Sequence, residues 1–217
     1  MTLLIIDTAT RLSATALFDG DTCLVFDTNP LEKSPAEHLM QQIETIMEKA
    51  DKSFTDIDRI IVNTGPGSFT GIRIGVSAAR GFGLALNKPV IGISLLEAKA
   101  FSLRNSQYAI SIIEEGHGGT LMAQHFNAAG SQLTPAYTAN ADDIRKNLMG
   151  EILMSGSGAA NIKSPLIAAR KSPQYFEILQ SLAVLGEQKS PQEALPTPIY
   201  MRPPDAKPQV GFALPRI

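Results

Sequence analysis

The chain predicts an α/β fold of two similar lobes, each a mixed sheet with helices packed on it. Three observations carry this. Strand and helix signals run βββαβαβ through about the first 95 residues, and a looser βββαβα series starts again near residue 105. With 217 residues, the chain is long enough to bury a core in each lobe. An apolar fraction of 44% against 18% charged residues is that of an ordinary globular protein.

The first half reads as follows. "TLLIID" is a short buried run, "SATALFD" alternates, and "TCLVFDT" follows the turn residues Asp19, Gly20 and Asp21. These three make a meander. A helix follows in "SPAEHLMQQIETIMEKA": Ser34 suits the N-cap, Pro35 the first helical position, and Glu37 completes a capping box. Leu39, Ile43, Ile46, Met47 and Ala50 recur on one face, which Met40 widens. "DRIIVNTG" is a fourth strand, "IRIGVSAARGFGLAL" a second helix stopped by Asn87 and Pro89, and "PVIGIS" a fifth strand. This is the order of a ribonuclease-H-like half domain, in which parallel strands over crossover helices extend an antiparallel meander. "LLEAKAFSLR" reads as a helix leading away.

In the second half "YAISIIEE", "GTLMAQHFN" and "SQLTPAYTA" read as strands, "ADDIRKNL" as a short helix, "EILMSGSGA" as a strand and "SPQYFEILQSLAVLG" as a helix. Element order alone points to a structural duplication. The expected division is a lobe over residues 1–104, a degenerate second lobe over 105–197, and a proline-rich tail over 198–217. The tail's chemistry suits either a mobile segment or one packed back on the first lobe.

Composition excludes several functions. The net charge of −2 gives no overall basic field for nucleic acid. Cys23 is the only cysteine, so no intrachain disulfide or C-x-x-C site can form. The apolar run from Leu3 to Ile6 is too short for a secretory signal, and no stretch approaches the roughly 18 apolar residues of a membrane span. A cytoplasmic location is expected.

The glycine-rich stretch "VNTGPGSFTGIRIGVSAARGFGLAL" raises the question of phosphate binding. A P-loop fails: Thr70 or Ile72 stands where its second glycine belongs, and no lysine occurs between Gly65 and Gly81. A dinucleotide fingerprint fails as well, because Thr70 takes the third glycine position and Pro66 removes an amide donor. The remaining reading is close packing. Gly71, Gly75, Ala79 and Gly83 stand four apart and stack into a side-chain-poor stripe. Each interior glycine costs the helix about 1 kcal/mol relative to alanine. The stripe can pack on the chain's own sheet or dock another protein; Ile72, Val76 and Leu84 would then face the sheet with the small residues outward.

"NTGPGSFTGIRIGVSAARGFGLAL" resembles the signature of the TsaB family, called YeaZ in older usage. "LLIIDTATRLSATALF", "SPAEHLMQQIETIMEKA", "PVIGISLLEA" and "PIYMRPPDA" also fall in that family's order and spacing. The resemblance covers residues 1 to about 100 and 198–206. It implies an acetate-kinase/Hsp70/actin-like (ASKHA) fold of two ribonuclease-H-like lobes. It also implies a part in making threonylcarbamoyladenosine beside the tRNA anticodon, with a catalytic paralogue, TsaD, and a small ATPase, TsaE. The paralogue carries a metal-binding N-H-x-E-G-H segment after its fifth strand. On "GISLLEAKA" this puts Leu95 and Lys99 where the histidines belong, so Glu97 alone makes no metal site. His38, His117 and His125 lie in separate elements. "EEGHGG" is read as a flexible turn over a metal site, and it departs from the Asp-Ala-Arg that relatives often show there.

The resemblance therefore implies a scaffold with no catalytic residues, no metal and no cofactor of its own, with ATP or ADP at most at the partner interface. Helices around residues 38–50 and 72–86 would form the docking face through Leu39, Met40, Ile43, Met47, Gly71, Gly75, Ala79 and Gly83. That face would meet the TsaD-like partner, or a second copy of the chain in its absence, and tRNA would be met mainly through the complex. Gly75→Leu or Ala79→Leu is expected to break the complex and spare the fold. Asp7, Thr8 and Thr10 keep the acid and hydroxyls of a remnant phosphate site, though Asp7 reads equally as a cap that bonds turn amides at the end of the first strand. The alternative function is a small-molecule kinase or ATPase of the same fold, which Asp7 would serve.

Overall fold

The computed structural model describes residues 1–30 and 35–201. The first sheet holds β1 (Thr2–Asp7), β2 (Leu12–Asp19), β3 (Thr22–Pro30), β4 (Arg59–Asn63) and β5 (Val90–Ile93), in the order β3-β2-β1-β4-β5. β1 pairs antiparallel with β2 and parallel with β4. Both its faces are covered, which is why it reads as a continuous apolar run. Leu4 and Ile6 pack under α1 (Pro35–Lys49) and α2 (Phe69–Leu86), while Leu3 and Ile5 pack under α5 (Tyr175–Gln188). Ser34 and the capping box built on it lie outside the described residues.

The second sheet holds β6 (Ala109–Glu115), β7 (Leu121–Phe126), β8 (Tyr137–Ala139), β9 (Ile152–Ser155) and β10 (Ile167–Arg170), in the order β10-β9-β6-β7-β8. β6 pairs antiparallel with β7 and parallel with β9, and β9 pairs parallel with β10. Strand for strand this repeats the order and polarity of the first sheet, so the duplication expected from element order is present. It is degenerate where α2 has its counterpart: only a 3₁₀ turn, Ala159–Asn161, lies between β9 and β10. β10 itself has no strand signal in the sequence. It is a short edge strand, "IAAR", with three of its four residues exposed, so no apolar alternation marks it. "SQLTPAYTA" contributes only β8, and α4 is Ala141–Lys146.

The closing helix of each half packs across to the other half. α3 (Leu95–Ser102) sets Leu96 and Ala100 against Ile110, Ile112 and Phe126 of the second sheet. α5, counted with residues 105–197 from sequence, buries Ile178, Leu179, Leu182 and Leu185 on the first sheet. The Arg59 guanidinium donates to the carbonyls of Gly186, Glu187 and Lys189 at the end of α5, and Lys189 pairs with Glu97 at 2.6 Å.

The segment 194–200, which leads into the tail and includes its first residues, packs back on the first lobe. Gly92 N donates to Ala194 O and Ile199 N to Thr64 O, each at 2.8 Å. Arg80 donates to Pro196 O, and the Phe69 ring lies 4.7 Å from that of Tyr200. The rest of "PIYMRPPDA" and of the tail, residues 202–217, lies outside the described residues.

Candidate functional site

α2 begins three residues earlier than the apolar pattern suggests, because Ser68 Oγ accepts from Gly71 N at 3.1 Å and caps it. Ser68 N donates to Ala9 O at 2.7 Å, and Thr8 Oγ1 donates to Gly71 O at 2.6 Å. The glycine-rich turn thus grips the β1–β2 turn. Space there is tight: a Cβ on Gly71 would lie 1.9 Å from Thr8 O, and one on Gly75 2.4 Å from Thr8 Oγ1. Asn87 ends the helix in the left-handed region at φ 53°.

This orientation reverses an expectation. Gly71, Gly75, Ala79 and Gly83 are buried against the chain's own sheet, and Leu84, expected to face it, is 87% exposed. The helical wheel explains why. Gly71 and Ile72, or Gly75 and Val76, are only about 100° apart, so the two stripes form one broad buried face. Leu39, Ile43 and Met47 are likewise buried in the core beneath α1. Of the eight residues read as a docking face, only Met40 reaches the surface, at 43% exposure. The outward side of α2 consists of Thr70, Arg73, Ser77, Arg80, Gly81, Leu84 and Ala85.

Asp7 ends β1 fully buried. It accepts from Ala9 N at 2.9 Å and from the Tyr175 hydroxyl at 2.6 Å. Burial pushes its pKa above the usual carboxylate range, and these hydrogen bonds oppose the shift. Burial, with Asp7 beside it, also raises that of Tyr175. Thr8 is bound to Gly71, and Thr10 exchanges hydrogen bonds with the backbone of Leu12. All three residues read as a remnant phosphate site therefore have partners within the chain. Tyr175 is the member sequence reasoning missed: it lies 168 residues from Asp7, at the start of α5, with no local motif.

On α3 Leu95 is buried and Lys99 pairs with Glu114 near the end of β6. His38 is on the surface of α1. His125, on β7, is buried with Nε2 2.6 Å from the Tyr137 hydroxyl, and burial lowers its pKa. In "EEGHGG" the two glutamates end β6 and residues 116–119 lie in the turn to β7, with Gly118 at φ 66° and Gly119 at φ 80°. Among the described residues, no three His, Cys, Asp or Glu side chains gather as metal ligands, and no helix is long and apolar enough to cross a membrane.

Two ribonuclease-H-like sheets with helices packed across them define an acetate-kinase/Hsp70/actin-like protein. Solved structures agree. A Pseudomonas aeruginosa protein described as similar to peptidase YEAZ superposes with a TM-score of 0.75 at 20% identity, over 93% of this chain and 99% of that one. The ROK hexokinase of Thermus thermophilus superposes at 0.52 with 12% identity, over 86% and 98%. A family model described as TsaD, tRNA N6-adenosine threonylcarbamoyltransferase, matches residues 31–182. The tRNA threonylcarbamoyladenosine biosynthesis protein TsaB of Bacillus subtilis is 32% identical over 138 residues, 62% of this chain. Its Escherichia coli counterpart is 38% identical over 101 residues, 46% of this chain. These matches span 60% and 43% of the two relatives' lengths. The chain belongs to the TsaD family, in its TsaB (YeaZ) branch.

Proposed function

We propose that the chain is a non-catalytic scaffold subunit of a tRNA threonylcarbamoyladenosine complex, needed by a TsaD-like paralogue that transfers threonylcarbamoyl to the adenosine beside the anticodon. One observation carries the reading. Where the resemblance puts the paralogue's metal-binding histidines, Leu95 is in the core and the Lys99 ammonium is held by Glu114. Neither can ligate a metal. The names of the TsaB relatives support the same process.

On this reading the chain works in the cytoplasm, a TsaE-like ATPase joins the pair, and a second copy takes the partner's place in its absence. The chain holds no cofactor of its own, and any ATP or ADP lies at the partner interface. tRNA is met mainly through the complex. Docking uses the outward sides of α1 and α2, where Met40, Gly81 and Leu84 lie, since the stripe first assigned to it is buried. Gly81 has nothing within 4 Å of where a Cβ would stand, so a larger side chain there tests contact with a partner and spares the fold.

The experiment mixes the purified chain with its TsaD-like and TsaE-like candidates and tRNA, and scores modified adenosine. Omitting the chain is expected to abolish modification. Gly81→Arg with Leu84→Asp is expected to reduce co-purification and yield at least tenfold, with the circular dichroism spectrum unchanged; losing one well-packed contact of about 1.4 kcal/mol suffices. Full yield without the chain, or unchanged co-purification by the double variant, overturns the reading.

A further inference from the structure

The Glu114 carboxylate sits in a cradle made by two other segments. Lys99, on α3, donates its ammonium to Oε1. Ser157, in the loop after β9, donates its hydroxyl to Oε2 at 2.8 Å and its backbone N–H to the same oxygen at 3.3 Å. Lys99 and Glu114 side chains are only 16% and 11% exposed, so water competes little for these bonds.

The loop is shaped for the task. Gly156 is at φ +106°, and a Cβ there would lie 2.1 Å from Ile113 O and 2.7 Å from Glu114 Oε1. Gly158 N donates to Ile113 O at 2.9 Å, pinning the loop against β6. Glu115 N donates to Ser157 Oγ at 2.9 Å, which fixes the hydroxyl so that its hydrogen turns to Glu114. A close-approach glycine, an inward backbone N–H, a serine hydroxyl and a lysine are the donors with which proteins hold anionic groups. Here the anion comes from the chain itself.

We propose that Lys99 and residues 156–158 form a carboxylate-binding site whose resident ligand is the chain's own Glu114. Removing that ligand leaves a vacant site for a free carboxylate, with acetate as the matching guest. Glu114→Ala deletes a CH₂ and a carboxylate, the atoms that acetate returns.

The test is chemical rescue in the full-length chain. Glu114→Ala is expected to melt roughly 10 °C below the parent, because it leaves the largely enclosed Lys99 unpaired. Acetate on the order of 100 mM is expected to recover much of the loss. Chloride at equal ionic strength and neutral acetamide should recover little, and acetate should barely move the parent. Rescue should vanish in Lys99→Met/Glu114→Ala, which lacks the cation. A Glu114→Ala chain that folds only in acetate also supports the site. The proposal is overturned if acetate does no better than chloride or acetamide, if the double variant is rescued equally, or if an unfolded variant stays unfolded in acetate.

Discussion

At Asp7 a buried carboxyl is satisfied by one backbone N–H and one tyrosine hydroxyl. Because burial raises its folded-state pKa, the folded chain keeps this proton to higher pH than the unfolded chain does. Its contribution is therefore fully present below about pH 4 and is lost as pH rises through the folded-state value. Asp7→Asn should accordingly gain stability relative to the parent as pH rises from about 4 to 7, measured by urea unfolding at each pH. Asp7→Ala should instead lose about 1–3 kcal/mol at every pH, because it orphans the Tyr175 hydroxyl and Ala9 N. Asp7 stood out in the sequence because an acid closes an apolar strand there. Tyr175 was not, since its meaning comes only from the packing of α5 on the first sheet.

The glycines of α2 divide into two kinds. Gly75 faces Thr8, Ile6 and Val62, whereas Gly81 faces open space. Gly75→Ala should cost about 1–3 kcal/mol through overpacking. Gly81→Ala should stabilise the isolated chain by up to about 1 kcal/mol. Chemical denaturation of the two variants checks both, and equal effects would contradict the packing described. By the same logic Gly75→Leu and Ala79→Leu, which sequence suggested as interface tests, would damage the lobe itself. The sequence marked α2, its spacing of small residues and its stop at Asn87 correctly. It misjudged the direction in which the stripe faces, because a run of small and apolar neighbours has no polar side to orient it. β10 escaped notice for a related reason: an exposed four-residue edge has little pattern to read.

At the scale of the molecule, the repeat of five strands was legible from element order, but the exchange of closing helices was not. No local signal says which sheet α3 or α5 will cover. The exchange ties the lobes together through apolar packing, the Arg59 contacts to the end of α5 and the Lys189–Glu97 pair. The full chain should therefore unfold in one calorimetric transition, with van't Hoff and calorimetric enthalpies in agreement. A fragment of residues 1–104 should fail to fold cooperatively, since Leu3, Ile5, Ile61 and Ile91 would lose their cover. Two separate transitions, or a stable fragment, would contradict this. The arrangement also has a consequence during translation. The first sheet is synthesised long before the helix at Tyr175–Gln188 that shields one of its faces. At 5–20 residues per second, roughly 80 residues separate β5 from that helix, a delay of about 4–16 s. During those seconds the nascent first lobe shows a greasy flank, which makes it a natural client for ribosome-associated chaperones.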